Sequence, residues 1–479
     1  MLLIVVDLLL VNLTTLFALW IMAVRAGWPF NRGYLLDQAG WFLGLSVLWL
    51  LSAFLNGFYD PRKITDLGAA TGALLRVVAL ITIVYFAIYF FFATPGSLPR
   101  GVVGYQGFTS FILIGVWRVL YVSLLQHPIF ARKVIIVGAG WAGQTIARTI
   151  VQYAKAHYYI LGFVDDGMAK QGQRIECSGT DSLDSSVEPN QAQEADKCKP
   201  QIAVLGTGRD LPRLVCEQQV PELILAITRD ISTPLFHALM ECKEQGVQIT
   251  LMPVLFEQLT GQVPIEHIGD NWNVALPLDS AEAGGLYPVV KRIFDIAGAS
   301  IGLFLFILCL PFIVLAIRLD SPGPILYTQE RVGKGGKIFK LLKLRTMVSD
   351  AERDGHAMRA QTNDPRITRV GRMLRKMRLD EMPQLINILK GDMSAVGPRP
   401  ERPEHLQELD RLIPFHRLRN AVKPGMAGWA VVNYDYVESV EDARIRLQYD
   451  LYYIKHQSIW LDLVILLRTM GHMLMLKGR

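Results

Sequence analysis

Cysteine is scarce in this chain and never closely paired: Cys177, Cys198, Cys216, Cys242 and Cys309 lie far apart, with no C-x-x-C among them. That spacing argues against a zinc site or a disulfide framework and suits a reducing compartment. Charge is sparse too, at 19% of residues, with a formal net charge of +6 over 479 residues. No helix-turn-helix, RRM or finger pattern is present, which leaves nucleic acid without a groove reader. What fills the space is apolar: 51% of residues are hydrophobic and the mean hydropathy is +0.28. A single soluble domain is a poor container for such a chain, so several units are expected, some of them in lipid.

Four apolar runs near the start, Leu2–Val24, Ala39–Phe58, Ala69–Ala93 and Phe108–Gln126, each approach the roughly 20 residues that a membrane-crossing helix needs. The first lacks a basic leading segment and a small-residue cleavage site, so it reads as a span and not as a cleaved signal. Arg62, Lys63 and Arg76 mark the second loop and Arg132 and Lys133 the exit, against Arg25, Arg32 and Arg100 on the other side. That bias favours both ends inside. Residues 1–128 are expected to form four transmembrane helices, with the rest on the cytoplasmic side.

Past this block the period changes. "KVIIVGAG" is a β-branched run, "WAGQTIARTIVQYAKAH" is helix-like and "YYILGFVDD" is a second strand, the alternation of a βαβ unit. Residues 129–254 are expected to form a Rossmann-like α/β domain with a doubly wound parallel sheet. Gly138, Gly140 and Gly143 sit at the strand-to-helix turn, and Asp165 stands at the distance of a ribose-binding acid. These four residues are a candidate nucleotide site; a tight turn serving the fold alone is the competing explanation. An oxidoreductase would need an acid or base beside a nicotinamide, and the Y-x-x-x-K at Tyr287 to Lys291 falls outside this domain.

After a linker at 255–286 comes "KRIFDIAGASIGLFLFILCLPFIVLAIRLD", long enough to span a bilayer yet basic on both flanks and interrupted by Pro311. A proline there bends a helix. Crossing would put the two soluble domains on opposite faces, so 287–320 is expected to be a re-entrant membrane helix and 321–479 an α/β catalytic domain.

From Tyr287 to Arg479 there are 30 lysines and arginines against 20 acids, a surface that wants phosphate. An arginine ladder (Arg366, Arg369, Arg372, Arg375, Arg378) runs into Asp380 and Glu381. The first three read as a solvent- or headgroup-facing stripe. Arg375 and Arg378 adjoin the acids and are expected to keep Asp380 ionised, with Asp380 as N-cap of the helix "EMPQLINIL". An ionised carboxylate that meets phosphorus can act as a nucleophile. Its neighbour Glu381 can hold Mg2+ together with substrate phosphate oxygens. Gln329, Arg331, Lys334, Lys337, Lys343 and Arg345 fall on an expected hairpin, and Arg399, pinned between Pro398 and Pro400, suits a bidentate phosphate clamp.

The blocks "KRIFDI", "GPILYTQERVGKGGKIFKLLKLRTM", "DPRITRVGRMLRKMRLDEMPQLINILKGDMSAVGPRPER", "VKPGMAGWA" and "QYDLYYIKHQSIWLDLVILLRT" resemble the bacterial sugar transferases, the monotopic polyprenyl-phosphate phosphoglycosyl transferases. The four-helix block and Rossmann-like middle further resemble the long subclass, which includes initiating glucose- and galactose-phosphate transferases of exopolysaccharide and O-antigen assembly. The resemblance implies that a UDP-hexose donates hexose-1-phosphate to undecaprenyl phosphate with release of UMP. It matches Asp380 to the nucleophile, Glu381 to a magnesium-binding acid and the Pro398-Arg399-Pro400 turn to a nucleotide-binding element. Family members commonly read "PG-I-T-GWAQ" where this chain has Met426, Ala427 and Val431.

Mg2+ is the expected cofactor. UDP-hexose, undecaprenyl phosphate and membrane lipid are the expected partners, with a homodimer compatible and nucleic acid excluded. The expected location is the bacterial inner membrane, with the catalytic domain on its cytoplasmic face. The tail "SIWLDLVILLRTMGHMLMLKGR" suits an interfacial helix. The alternative is a membrane-tethered nucleotide-binding regulator of polysaccharide assembly.

Overall fold

A computed structural model describes residues 2–59, 67–92, 100–125, 131–155, 157–167, 170–176, 201–227, 231–265, 285–348, 364–434 and 439–474. Arg62, Lys63, Cys177, Cys198 and most of the expected linker lie outside them. The chain divides into two compact units, residues 1–134 with 150–160 and residues 135–149 with 161–479.

The first unit is built on α1 (Leu2–Ala26), α2 (Arg32–Asp37), α3 (Ala39–Leu55), α4 (Leu67–Phe92) and α5 (Arg100–Leu125). Stretches of α1, α4 and α5 are long and apolar enough to cross a membrane, and α3, at 17 residues, is shorter. Within the bundle Arg118 Nη2 lies 2.9 Å from Asp7 Oδ2, and the Thr14 and Ser110 hydroxyls lie 2.7 Å apart. Between apolar helices such polar pairs fix which faces meet, since an unpaired charge there is costly.

A six-stranded sheet follows: β1 (Arg132–Val137), β2 (Tyr158–Val164), β3 (Arg174–Glu176), β4 (Gln201–Gly206), β5 (Glu222–Leu225) and β6 (Gln248–Leu251), in the order β3-β4-β2-β1-β5-β6. β2 runs parallel to β4 and β5 to β6, while β3 is an antiparallel edge strand. Its helices are α6 (Trp141–Tyr153), α7 (Leu211–Gln218) and α8 (Thr233–Glu244). Ile135, Val137, Leu223, Leu235 and Leu239 share one buried cluster.

The stretch expected to be a linker begins as structure. α9 (Met252–Thr260) follows β6 directly and stops at Gly261, φ +65°, the left-handed C′ position that glycine takes without strain. Val263 and Ile265 then enter the core of the last domain beside Leu409, Leu447 and Leu451. Trp429 Nε1 donates to the Gly261 carbonyl at 2.9 Å, and Glu257 receives Lys455 at 2.8 Å and His456 at 3.0 Å.

The last domain rests on α10 (Tyr287–Asp320), one 34-residue helix that continues through Pro311. Its Arg292 donates to the carbonyls of Ile388 and Leu389 at 2.7 and 2.9 Å, and Asp295 accepts from Ser394 Oγ and Ala395 N. At the far end Asp320 accepts from Val370 N at 2.9 Å. Around it stand the hairpin β7 (Leu326–Val332) and β8 (Ile338–Leu344), α11 (Arg369–Lys376), α12 (Gln384–Lys390), β9 (Ser394–Val396), α13 (Pro403–Leu412), β10 (Gly425–Ala427), α14 (Trp429–Asn433), α15 (Val440–Lys455) and α16 (Ile459–Leu474). Thr368 caps α11 and a Ser439–Asp442 capping box starts α15. Phe306 and Ile317 of α10 pack with Leu344 and Leu374, while Phe304, Leu308, Phe312 and Leu315 remain exposed.

Val263→Asp puts an unpaired carboxylate into the cluster of Leu409, Leu447 and Leu451. It should cost on the order of 3 kcal/mol and lower the melting midpoint of the detergent-solubilised protein by roughly 6–12 °C. Val263→Ile should stay near wild type; equal midpoints for the Asp variant and wild type would show that the strap is not part of that core.

Candidate active site

Two residues past the end of α11 stands Arg378, whose φ of +55° is left-handed, a strained conformation for a residue with a Cβ. The reversal starts a 3-10 turn, Leu379–Glu381, that carries both acids into the interior, Asp380 8% and Glu381 5% exposed. Asp380 therefore sits inside a turn and is not the N-cap of the next helix. Pro383 holds that position for α12.

Glu381 Oε1 receives two cations: Arg399 Nη2 at 2.6 Å and Lys343 Nζ at 3.3 Å. Burial opposes its charge, but Arg399 and Lys343 overcome that and hold the carboxyl well below the usual range. Asp380 goes the other way. Burial raises it and the Glu381 charge adds to the rise, with Lys343, Arg375 and Arg399 opposing. The expectation that neighbouring arginines depress Asp380 is thus corrected: the arginine contact goes to Glu381, and Asp380 is the more basic carboxyl of the pair.

Behind Arg399 lies a second set of ion pairs. Arg419 Nη2 donates to the Arg399 carbonyl at 3.0 Å and to Asp450 at 2.8 Å, and Nη1 donates to Glu401 at 3.1 Å. Arg446 reaches Glu401 at 3.4 Å. Arg331 donates to the Pro400 carbonyl at 3.1 Å and to Gln329 Oε1 at 2.5 Å, and burial with Arg399 nearby pushes its guanidinium down to about 10. The Pro398-Arg399-Pro400 turn is therefore gripped on both carbonyls, which fixes where the Arg399 fork points.

Of the expected site residues, the structure brings Asp380, Glu381, Lys343 and Arg399 together, with Arg331 and Gln329 behind the Pro398–Pro400 turn. Arg375 adjoins Asp380 but donates to Thr346 Oγ1 at 2.9 Å, and Arg378 adds positive potential at Glu381. Arg345 is engaged elsewhere, donating to the carbonyls of Ser321 and Pro322 at 2.6 Å each, where it caps the end of α10. Arg366 pairs with Asp364 at 2.6 Å, and Arg369 and Arg372 face outward. Ala427 and Val431 are buried, in β10 and α14. Tyr287 and Lys291 both bond Asp462, at 3.1 and 2.7 Å.

In the sheet domain, Gly138 has φ +107°, and a Cβ on Gly143 would come within 1.9 Å of the Gly138 carbonyl oxygen, so both are required by the turn itself. Gly140 has open space around it. Asp165 accepts from Ala139 N at 2.7 Å, Gly167 N at 2.9 Å and Lys170 at 3.3 Å. Its carboxylate holds the glycine turn.

Sequence reasoning missed Glu401, Arg419, Arg446 and Asp450, and also Asn387, which bonds Lys340 O at 2.9 Å and receives Leu342 N at 3.1 Å to lock β8 onto α12. Asn387 within "LINIL" and Asp450 within "QYDLYY" interrupt apolar surroundings, the one signal that marked them.

A magnesium ion is compatible with this donor set. Lys343 and Arg399 both bind Glu381 Oε1, Glu381 Oε2 receives no hydrogen bond from the described residues, and Asp380 is adjacent. Among the described residues no group of three or more His, Cys, Asp or Glu could hold a metal by itself, so such an ion would need substrate oxygens.

Comparison with known proteins matches residues 286–476 to a family model described as bacterial sugar transferase. A putative undecaprenyl-phosphate N-acetylgalactosaminyl 1-phosphate transferase of Bacillus subtilis is 52% identical over 134 residues, 28% of this chain and 74% of that protein. The chain belongs to the bacterial sugar transferase family. A UDP-glucose:undecaprenyl-phosphate glucose-1-phosphate transferase of Caulobacter vibrioides is 44% identical over 187 residues, 38% of this chain and 69% of the relative. A UDP-N-acetylgalactosamine-undecaprenyl-phosphate N-acetylgalactosaminephosphotransferase of Aeromonas hydrophila is 41% identical over 231 residues, 48% of this chain. That match spans about half of the Aeromonas protein, 53%. Residues 54–253 match a model described as CoA-binding domain. Within this family member, the acid pair, Lys343 and Arg399 all lie in the transferase-matched region.

Glu381→Gln removes the charge that holds Lys343 and Arg399 together. It should destabilise the protein by about 2 kcal/mol, less than a fully buried pair because Arg399 is a third open to solvent. Thermal melting in detergent should show the drop, and Arg399→Gln on that background should add little further. Independent, additive losses would show that the two side chains are not coupled.

Proposed function

We propose that this sugar transferase moves a sugar-1-phosphate from a UDP-sugar to undecaprenyl phosphate at the cytoplasmic face of the bacterial inner membrane, starting the assembly of an exopolysaccharide or O-antigen. The observation that carries the proposal is the buried acid pair with its charge divided unequally: Glu381 neutralised by Lys343 and Arg399, Asp380 left as the more basic carboxyl. The names of the relatives support the reaction class and include both glucose and N-acetylgalactosamine donors.

In the mechanism, an Asp380 carboxylate oxygen attacks the sugar-bearing phosphorus. The bond from that phosphorus to the oxygen bridging the two phosphates breaks, and UMP leaves with the electron pair. An oxygen of the lipid phosphate then attacks the same phosphorus and Asp380 departs as carboxylate. A raised pKa makes Asp380 the better nucleophile once ionised, while Lys343 and Arg399 draw the diphosphate in. Glu381, through Oε2, would hold Mg2+ with substrate phosphate oxygens, and a bound ion supplies neutralisation of the diphosphate charge.

The membrane helix fits this role as a re-entrant element. Arg292 and Asp295 near one end and Asp320 at the other are held by a single domain, so entry and exit on one face keep the exposed Phe304–Leu315 surface in lipid and both ends in the headgroup layer.

Purified protein in nanodiscs containing undecaprenyl phosphate should release UMP from at least one of UDP-glucose, UDP-galactose and UDP-N-acetylgalactosamine, and excess EDTA or Asp380→Asn should stop it. Because Asp380 is raised, kcat/KM should climb with pH through a value above the usual aspartate pKa of about 3.9, its ionised fraction being lost as pH falls below that value. Folded protein that releases UMP from none of the donors would leave the nucleotide-binding regulator as the better account.

A further inference from the structure

β8 starts beside the hairpin tip and ends near the acid pair, Lys343 being the residue that touches Glu381. At about 3.3 Å per residue, the tip at Lys334–Gly336 is set roughly 20 Å or more from that contact. A pocket of about 560 Å³ opens at the tip end. Its polar lining comes from Lys291, Arg292 and Asp295 on the first turns of α10, Lys334 on the hairpin tip, Lys423 just before β10, and Lys455 of α15, which pairs with Glu257; Val396 of β9 and Leu451 and Ile454 of α15 add apolar surface. Neither Asp380 nor Glu381 lines it.

Charge in this pocket is unbalanced. Lys291 is matched by Asp462, whereas Arg292 donates to two carbonyls and meets no carboxylate among the described residues. Among the described residues Lys334 and Lys423 form no ion pair or hydrogen bond. Arg292 and Lys423 also converge, each having a nitrogen 3.6 Å from where a Cβ on Gly391 would stand. Burial pushes the Lys423 ammonium down, and Arg292 and Lys334 add to the shift while Asp295 and Asp392 oppose it. The acid in the wall, Asp295, is half of no ion pair and is held by Ser394 and Ala395. Three cations with no ion-pair partner, facing only Asp295 and the nearby Asp392, repel each other until an anion joins them. The apolar part of the lining suits a ligand with an apolar or flat body behind its charge.

We propose that this pocket is a second phosphate site, separate from the acid pair, that takes a phosphate mono- or diester group against Arg292, Lys334 and Lys423. A lipid headgroup at the base of α10 and a soluble phosphorylated molecule share that chemistry. The site stands or falls independently of the transferase reaction, because none of its three cations touches Asp380 or Glu381.

The test is acylation of Lys423 by an amine reagent, followed by peptide mass spectrometry, on the full chain in phosphatidylcholine nanodiscs. One arm adds phosphatidylglycerol to the nanodisc with no phosphate in the buffer. The other keeps neutral lipid and adds millimolar inorganic phosphate. Labelling of Lys423 should slow roughly fivefold once a probe exceeds its Kd about fourfold, while the exposed Lys243 on α8 labels unchanged. Protection in the first arm alone assigns the site to a lipid headgroup, and protection in the second arm assigns it to a soluble phosphate. Lys334→Gln, on an exposed hairpin tip that tolerates substitution, should remove most of the protection. No protection in either arm, equal slowing at Lys243, or full protection in Lys334→Gln would overturn the proposal.

Discussion

The contact on which the site depends is Arg399 to Glu381, 2.6 Å between nitrogen and oxygen. It neutralises one acid of an adjacent pair, and it does so with a cation whose backbone cannot wander. Two carboxylates side by side in a buried turn would otherwise share a proton and neither would have a defined role. With Arg399 and Lys343 both on Glu381, the negative charge settles there, and the proton affinity that burial creates falls on Asp380. Everything behind Arg399 serves that placement: Arg419 grips its carbonyl, Asp450 and Glu401 hold Arg419, and Arg331 grips the carbonyl of Pro400. The cost of burying so many charges is met by pairing them, since each cation in the set reaches a carboxylate or a carbonyl.

The same logic ties the site to the membrane helix. Arg292 and Asp295 bond the end of α12 and the start of β9, and Asp320 bonds the start of α11. The acid turn lies between α11 and α12, so the two helices that frame it are each fastened to α10. Arg345 completes the far attachment by bonding the carbonyls just past α10. On the proposed function, an apolar helix and an acid turn fixed to each other in this way would hold the acid pair at a constant depth relative to lipid, which a lipid-linked phosphate acceptor would require.

Much of this was legible from local sequence. The acids, the prolines around Arg399, the apolar segment with basic flanks and the glycine turn at Gly138 each announce themselves within a few residues, because short-range chemistry sets them. What was not legible depends on partners far apart in the chain. Arg345 looked like a phosphate ligand because it falls among the cations of the expected hairpin, but its carbonyl partners at 321 and 322 come from another element. Asp380 looked like an N-cap because Pro383 follows; the left-handed Arg378 instead makes a separate turn, and a single non-glycine residue gives no sign of its φ. Glu401, Arg419 and Asp450 read as ordinary charges until the fold brings them together. Val263 and Ile265 sat in what looked like linker, since a two-residue strap has no periodicity to detect.

The account centres on Asp380 as a nucleophile and not a base, and one measurement addresses that directly. The protein is incubated with its UDP-sugar donor and no lipid acceptor, quenched, digested and analysed by mass spectrometry. The account predicts a sugar-phosphate adduct on the peptide that carries Asp380, formed along with a matching burst of UMP and absent from Asp380→Asn. Efficient product formation with both substrates present, but no adduct and no UMP until the acceptor is added, would contradict it and return Asp380 to the role of a base or metal ligand.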